Sequence, residues 1–165
     1  MKLEVGAGAH PRAGYEHLDI VAGPGIDLVC PAWKTPLKSD SVEEIYARHF
    51  MEHLSQPEAD QTIVEWQRLL VAGGVAHVIV PNMEFHGAQV LLPGNSEFFK
   101  RKKISNLDHA LYSIYGWPGE ETMRHKWGYT PATLTALFVG HGFVDVTVLV
   151  CRACDIELRA RKASK

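Results

Sequence analysis

Two glycines and two acids near the start of the chain have the types and spacing of a nucleoside-binding turn. Glu4-Val5-Gly6-Ala7-Gly8 ends a short apolar run, and Asp19 closes the next one. Glycine adopts backbone angles that other residues avoid, and its missing side chain lets a ligand approach the main chain. A glycine turn after a strand, followed by an acid that binds ribose hydroxyls, is how an α/β sheet holds a nucleoside. Gly-x-Gly turns are common, so the rest of the chain has to show whether this turn binds a nucleoside.

Histidines form the second group with chemical potential. His49-Phe50-Met51-Glu52-His53 spells H-x-x-E-H, an inverted zinc-peptidase motif in which two helical histidines bind zinc and the glutamate acts as base. Those enzymes draw a third ligand from a long helical region of a much larger chain, so this interpretation is the weaker one and no metal site is predicted. His125 could serve as an acid or base, and a plain loop histidine is an equal alternative.

Composition limits the class of protein. With 165 residues and a net charge of −2, the chain fits one domain and has no global field for nucleic acid or anionic lipid. No apolar run approaches the ~20 residues that span a bilayer, and no signal-peptide pattern opens the chain. Three cysteines, with Cys30 inside an apolar run, suit a reducing compartment. The expectation is a cytoplasmic protein that does not enter the membrane.

Apolar runs and helical patterns alternate along the chain, which predicts an α/β fold with a mostly parallel sheet. The short link between the last two strands predicts that they pair antiparallel. One helix is predicted over 57–71, stopped by Gly73-Gly74, and another after Thr130 as its cap. The seven predicted strands cover residues 3–6, 15–20, 26–30, 44–47, 75–80, 144–150 and 154–159.

Residues 83–129 do not follow this alternation. They are rich in aromatic residues with prolines and glycines between them, and they follow a strand end where α/β proteins bind ligands. We interpret them as an insertion of short helices and loops that covers the site. The alternative is a long surface excursion with a small cluster of its own.

Four segments together resemble the class I S-adenosylmethionine-dependent methyltransferases, in particular a group of short bacterial proteins. The run Glu52-His53-Leu54 and the pattern R-L-L-x-x-G-G from Arg68 to Gly74 are its more specific parts. The segments are residues 3–8, 15–19, 36–54 and 65–82, and residues 134–146 also match. The resemblance implies a Rossmann-like methyltransferase fold in a single domain, with S-adenosylmethionine as cofactor.

The resemblance also implies which residues hold the cofactor and which face the acceptor. His49 and His125 are the candidates for acid or base work, with a helix-capping role as the alternative for His49, and Asn82 is also expected to face the acceptor. The cofactor set is Glu4, Gly6, Ala7, Gly8, His10, Asp19, Ile20, Pro31, Ala32, Trp33, Arg48 and His49.

Two departures from the family pattern bear on this assignment. The stretch from Gly8 to Tyr15 is too short for the usual helix between the first two strands, so a turn must connect them. Pro31 stands where the family often has an acid for the adenine amino group, so backbone near Ala32 or packing on Trp33 would recognise adenine instead.

The implied function is methyl transfer to a small-molecule or glycan-type acceptor, without a membrane or nucleic-acid partner; homodimerisation is left open. A non-catalytic S-adenosylmethionine-binding module is the main alternative, and a nicotinamide-dependent reductase a weaker one. Two further patterns receive structural interpretations: the basic run Lys100–Lys103 as a solvated helix face, and Cys151–Cys154 as a tight turn.

Overall fold

A seven-stranded sheet organises the chain. The computed structural model describes residues 1–91, 105–119, 121–151 and 154–164. The strands are β1 (Lys2–Val5), β2 (Glu16–Asp19), β3 (Leu28–Val29), β4 (Val42–Arg48), β5 (Leu70–Pro81), β6 (Phe143–Cys151) and β7 (Asp155–Lys162). Their order is β3-β2-β1-β4-β5-β7-β6, and β7 runs antiparallel to both of its neighbours. The predicted mostly parallel sheet with an antiparallel last strand is confirmed.

Four α-helices accompany the sheet within the described residues. They are α1 (Gln56–Leu69), α2 (Met83–Leu91), α3 (Asn106–Tyr115) and α4 (Pro131–Gly140), and two 3-10 turns cover Met51–His53 and Glu121–Met123. Both predicted helices form, and short helices occupy the predicted insertion. None of the helices in this part of the chain is both long and apolar enough to cross a bilayer. Phe98, Phe99 and Lys100–Lys103 fall outside the described residues, as do positions 152–153 of the predicted turn at Cys151–Cys154.

The end of α1 corrects one prediction. The helix was expected to reach residue 71 and to stop at Gly73-Gly74, but it ends at Leu69, and Leu70 already pairs with Val42 in the sheet. The two glycines instead serve a bulge inside β5, where the register with β4 shifts. A Cβ on Gly74 would lie 2.9 Å from the Val71 carbonyl oxygen, so the bulge leaves no room for a side chain.

The hydrophobic core lies on one face of the sheet. Helices α1 and α4 cover that face and contact each other through Trp66 and Phe138, whose ring centroids are 6.4 Å apart. The sheet contributes alternate side chains from β1, β2, β4, β5 and β7, as a two-residue period requires, and Phe143 from β6. These core residues include Leu3, Val5, Leu18, Ile45, Ala47, Val78, Ile156 and Leu158.

On the opposite face, side chains of the turn after β1 pack against side chains of the strands. No helix connects β1 to β2, β2 to β3 or β3 to β4, all of which lie in described residues, so the predicted loss of the first helix is confirmed. The Arg12 guanidinium lies 4.5 Å from the Tyr46 ring centroid, and the rings of Tyr46 and His77 meet edge to face at 5.0 Å. His77 also contacts Glu157 at 2.9 Å. Stacked polar and aromatic side chains therefore shield this face.

Thr130 caps α4 as the sequence predicts. Its Oγ1 accepts from the Thr133 N–H at 3.2 Å, and the Thr133 Oγ1 accepts from the Thr130 N–H at 2.9 Å. Thr130→Ala is expected to lower the free energy of unfolding by about 1 kcal/mol, because one helix-terminal N–H loses its acceptor. Urea denaturation measures this loss. Thr130→Ser keeps the acceptor and is the matched control, so equal losses in both variants would contradict the capping role.

Candidate functional site

The glycine turn after β1 is tied to the end of β2. The N–H groups of Gly6 and Ala7 donate to the Leu18 carbonyl at 2.9 and 3.3 Å. One Asp19 carboxylate oxygen accepts from Gly8 N–H at 3.0 Å, and the other accepts from Val21 N–H at 2.9 Å. Asp19 thus holds the turn in place, while a carboxylate with about four acceptor positions keeps capacity for further donors.

Gly6 combines a left-handed backbone with close packing. Its φ is +71°, and a Cβ at this position would lie 2.6 Å from Cδ2 of Phe50. Gly8 also has a positive φ of +58°, but a Cβ there would meet no atom within 4 Å. The Phe50 ring therefore fits against the main chain of the turn only because residue 6 is glycine.

Glu4 holds the connection that replaces the missing helix. Its Oε2 accepts from Arg12 N–H at 2.6 Å and lies 3.7 Å from Nε2 of His17. These contacts fix the loop between β1 and β2 to the end of β1.

Two adjoining cavities open at the carboxyl ends of β1 to β4. The larger, about 570 Å³, is lined by the glycine turn, Asp19 and the loop 20–26. The smaller, about 300 Å³, is lined mainly by apolar groups, including Pro31, Ala32 and Trp33. Ile20, Phe50, His53 and Thr122 line both cavities. Small-molecule sites usually measure ~300–1,000 Å³, and open α/β sheets bind ligands at this edge.

The cavities bring together some of the predicted residues and not others. Gly6, Gly8, Asp19 and Ile20 meet at the larger cavity, and Pro31, Ala32 and Trp33 at the smaller one. Neither cavity is lined by Glu4, Ala7, His10, Arg48, His49 or His125. Asn82 is buried and accepts from Glu84 N–H at 3.1 Å, so it caps α2.

One part of the insertion forms a wall of the site. Glu121, Thr122, Met123, Arg124 and Lys126 line one or both cavities. The N–H groups of Lys126 and Trp127 donate to the Glu52 carbonyl at 2.8 and 3.2 Å, which attaches this segment to the 3-10 turn after β4.

His49 lies directly after β4 in a left-handed conformation, with φ of +50°. Its Nδ1 lies 3.3 Å from Oε1 of Glu52, and its Nε2 lies 4.0 Å from a carboxylate oxygen of Asp155. The hydrogen bond to Glu52, with the charges of both acids, raises the pKa of His49 despite partial burial. These contacts stabilise the protonated form of His49 relative to that of a free histidine.

His125 has the opposite environment. Its Nδ1 donates to the Ser113 carbonyl at 2.8 Å, and burial lowers its pKa, so the ring is held neutral. Its ring meets that of His53 edge to face at 4.8 Å. The two predicted acid–base residues thus belong to different surroundings.

The inverted peptidase motif does not form its helix. Only Met51–His53 adopts a 3-10 turn, and α1 begins at Gln56, so His49 and His53 do not share the face of an α-helix. The sequence did not single out Phe50 or Thr122, which line both cavities; nothing in their residue types marks them.

Strand order, the single antiparallel strand and the cavities at the β1–β4 edge define the class: the chain has the class I S-adenosylmethionine-dependent methyltransferase fold. No protein-family model and no curated protein sequence matches the chain. Solved structures do match it over nearly its whole length.

Three such structures are methyltransferases. A SAM-dependent methyltransferase from Methanosarcina mazei is 16% identical, with 99% of this chain and 92% of that chain covered and a TM-score of 0.62. One from Archaeoglobus fulgidus is 14% identical, with 98% and 85% covered and a TM-score of 0.65. The 1,6-didemethyltoxoflavin-N1-methyltransferase of Burkholderia thailandensis, bound to 1,6-didemethyltoxoflavin and S-adenosylhomocysteine, is 14% identical, with 99% and 71% covered and a TM-score of 0.62.

Proposed function

We propose that this protein transfers a methyl group from S-adenosylmethionine to a small-molecule acceptor. The observation that carries the proposal is the pair of adjoining cavities at the carboxyl ends of β1 to β4. The fold supports the cofactor, because structural neighbours include a methyltransferase with bound S-adenosylhomocysteine. That same neighbour binds a small aromatic heterocycle, which supports an acceptor of similar size.

The lining of each cavity suits a different part of the cofactor. The apolar pocket at Pro31, Ala32 and Trp33 suits the adenine ring, with the Ala32 backbone in place of the family's acid. Asp19 suits the ribose hydroxyls, because its carboxylate still has acceptor positions beyond the two in use. The main chain of Gly6 and Gly8 suits the amino-acid end, because it offers approach without side chains.

Methyl transfer from a sulfonium does not require a particular catalytic side chain. The bound sulfonium supplies an already activated methyl group, so the protein has to align the acceptor and exclude water. Alignment of this kind contributes up to ~7–11 kcal/mol to lowering a barrier. The segment 121–126 would exclude water from one side. Because His49 and His125 line neither cavity, the proposal relies on alignment and not on a general base.

Ile20 offers a sharp test of the cofactor site, because it is 59% exposed and lines both cavities. Ile20→Asp should leave the fold intact and place a charge and a desolvation penalty at the junction of the cavities. We expect the affinity for S-adenosylhomocysteine, measured by calorimetry, to fall by at least about tenfold, corresponding to ~1.4 kcal/mol.

Val139→Asp is the matched control. Val139 is 54% exposed on α4 and lines neither cavity, so this variant should bind S-adenosylhomocysteine like the wild type. Equal affinity in the two variants, or no heat from the wild type, would contradict the cofactor site.

A non-catalytic S-adenosylmethionine-binding module is the second candidate. It is favoured by the helix-free connection between β1 and β2 and by Pro31, which stands where the family often has an acid for adenine. Incubation with radiolabelled S-adenosylmethionine and a panel of small acceptors distinguishes the two. Binding without label transfer to any acceptor would favour the module.

A further inference from the structure

Three groups of the types that bind metal ions meet beneath the wall of the site. They are the Glu52 carboxylate and the rings of His53 and His125, and one ligand atom from each lies within 4.8 Å of the other two. Glu52 and His53 belong to the 3-10 turn after β4. His125 belongs to the insertion and lies 72 residues after His53 in the sequence. The backbone bonds from Lys126 and Trp127 to the Glu52 carbonyl bring the two segments together.

The Glu52 side chain is the first evidence that this cluster has a ligand. It is 1% exposed, and its Oε2 has no hydrogen-bond partner, while Oε1 lies 3.3 Å from Nδ1 of His49. A buried carboxylate oxygen without a partner is expensive, and proteins compensate such groups with a donor or a cation. This oxygen therefore lacks a partner that a bound cation would provide.

The hydrogen bonds of His53 and His125 are the second piece of evidence that this cluster has a ligand. Nδ1 of His53 lies 3.1 Å from the Arg124 carbonyl oxygen, and Nδ1 of His125 lies 2.8 Å from that of Ser113. A carbonyl oxygen only accepts, so both Nδ1 atoms carry the proton and both Nε2 atoms keep a lone pair. Metal-binding histidines commonly have this arrangement, in which one nitrogen donates to a carbonyl and the other binds the ion.

We propose that Glu52, His53 and His125 bind one divalent ion of the zinc type. Two imidazole nitrogens and one carboxylate form a three-residue set that suits tetrahedral zinc and leaves the fourth position for water or another ligand. Ligand atoms at ~2.0–2.2 Å from a tetrahedral ion lie about 3.4 Å apart, so each pair of ligand atoms has to approach by at most about 1.4 Å on binding. His53 also lines both cavities, which places the ion at the wall of the candidate site.

This set differs from the one in the H-x-x-E-H pattern. It keeps Glu52 and His53, but its third member is His125, whereas His49 contacts Glu52 from outside the set. The proposal concerns metal binding itself and does not depend on methyl transfer.

The test is zinc binding by the whole purified chain after treatment with a chelator. Competition with a chromophoric chelator should give one zinc per chain, and cobalt substitution should give the visible absorption of a tetrahedral site. Loss of a hydrogen-bond partner behind a ligand costs ~10–100-fold in metal affinity, so His125→Ala and Glu52→Gln, which change ligands directly, should each lose at least about 100-fold.

His141→Ala is the matched control. His141 is a partly exposed histidine whose Nδ1 also bonds a backbone carbonyl, that of Leu137 at 2.8 Å, and it lies outside the cluster. Its variant should bind zinc like the wild type. Because Glu52 is buried, circular dichroism checks that each variant folds. Proton–carbon NMR of the wild type gives a second readout of zinc binding. Zinc should shift the ring signals of His53 and His125 but not those of His141.

Two results would overturn the proposal. One is zinc affinity unchanged in His125→Ala or in Glu52→Gln. The other is a zinc titration of the wild type that leaves the His53 and His125 signals in place.

Discussion

Replacing Gly6 by alanine is expected to damage both the fold and the cofactor site. A left-handed conformation costs an L-residue about 1–2 kcal/mol, and packing an extra methyl group into a filled space costs about 1–3 kcal/mol more. The added Cβ would lie 2.6 Å from Cδ2 of Phe50, so the ring must move. Because Phe50 lines both cavities, we expect affinity for S-adenosylhomocysteine to fall by about 100-fold, as measured by calorimetry.

Gly8→Ala separates the two causes. Its φ of +58° imposes the same backbone penalty, but a Cβ there meets no atom within 4 Å. This variant should lose only the backbone part, about 1–2 kcal/mol of unfolding free energy. If Gly6→Ala and Gly8→Ala lose equal stability and equal affinity, the contact with Phe50 has no part in the site.

Acidification from pH 7 to pH 4 is expected to destabilise the protein strongly through His86. This residue on α2 is 1% exposed, and its Nε2 donates to the Cys154 carbonyl at 3.1 Å. Burial, together with the nearby His109, His125 and His49, lowers its pKa to about 4. The unfolded chain, with a histidine pKa of ~6.5, binds the proton more readily, so stability falls as the pH drops below 6.5 and levels off near 4. The difference amounts to about 3 kcal/mol.

His86→Gln provides the comparison. The glutamine amide can donate to the same carbonyl but does not titrate. Urea unfolding of both proteins between pH 4 and pH 7 should show the steeper loss in the wild type. Other histidines titrate in both proteins, so the difference between the curves isolates His86. Parallel curves would mean that His86 does not carry the acid sensitivity.

Much of the fold follows from local patterns. Apolar runs predicted all seven strands, because each buried strand needs such a run, and Thr130 marked the start of α4. Gly73-Gly74 misled the prediction for α1, because a glycine pair after a helical pattern resembles a helix stop. Only the pairing of Leu70 with Val42 reveals that the glycines belong to a bulge, and pairing across the sheet is not a local property.

The site was predictable where it depends on the main chain. The sequence identifies Gly6, Gly8 and Asp19 by their residue types and by their positions after predicted strands. Phe50 could not be found in this way, because its role comes from the space left by Gly6. The meeting of His125 with Glu52 joins segments more than 70 residues apart, so no spacing in the sequence predicts it.

The position of β7 between β5 and β6 has a consequence for biosynthesis. On the ribosome, β6 emerges before the strand that must separate it from β5. Until residues 155–162 have been translated, β6 has no neighbour to pair with, and the nascent sheet exposes the edge of β5. The order in which the strands are synthesised therefore delays completion of the sheet. While the edge of β5 is open, the growing chain is prone to pair with other chains.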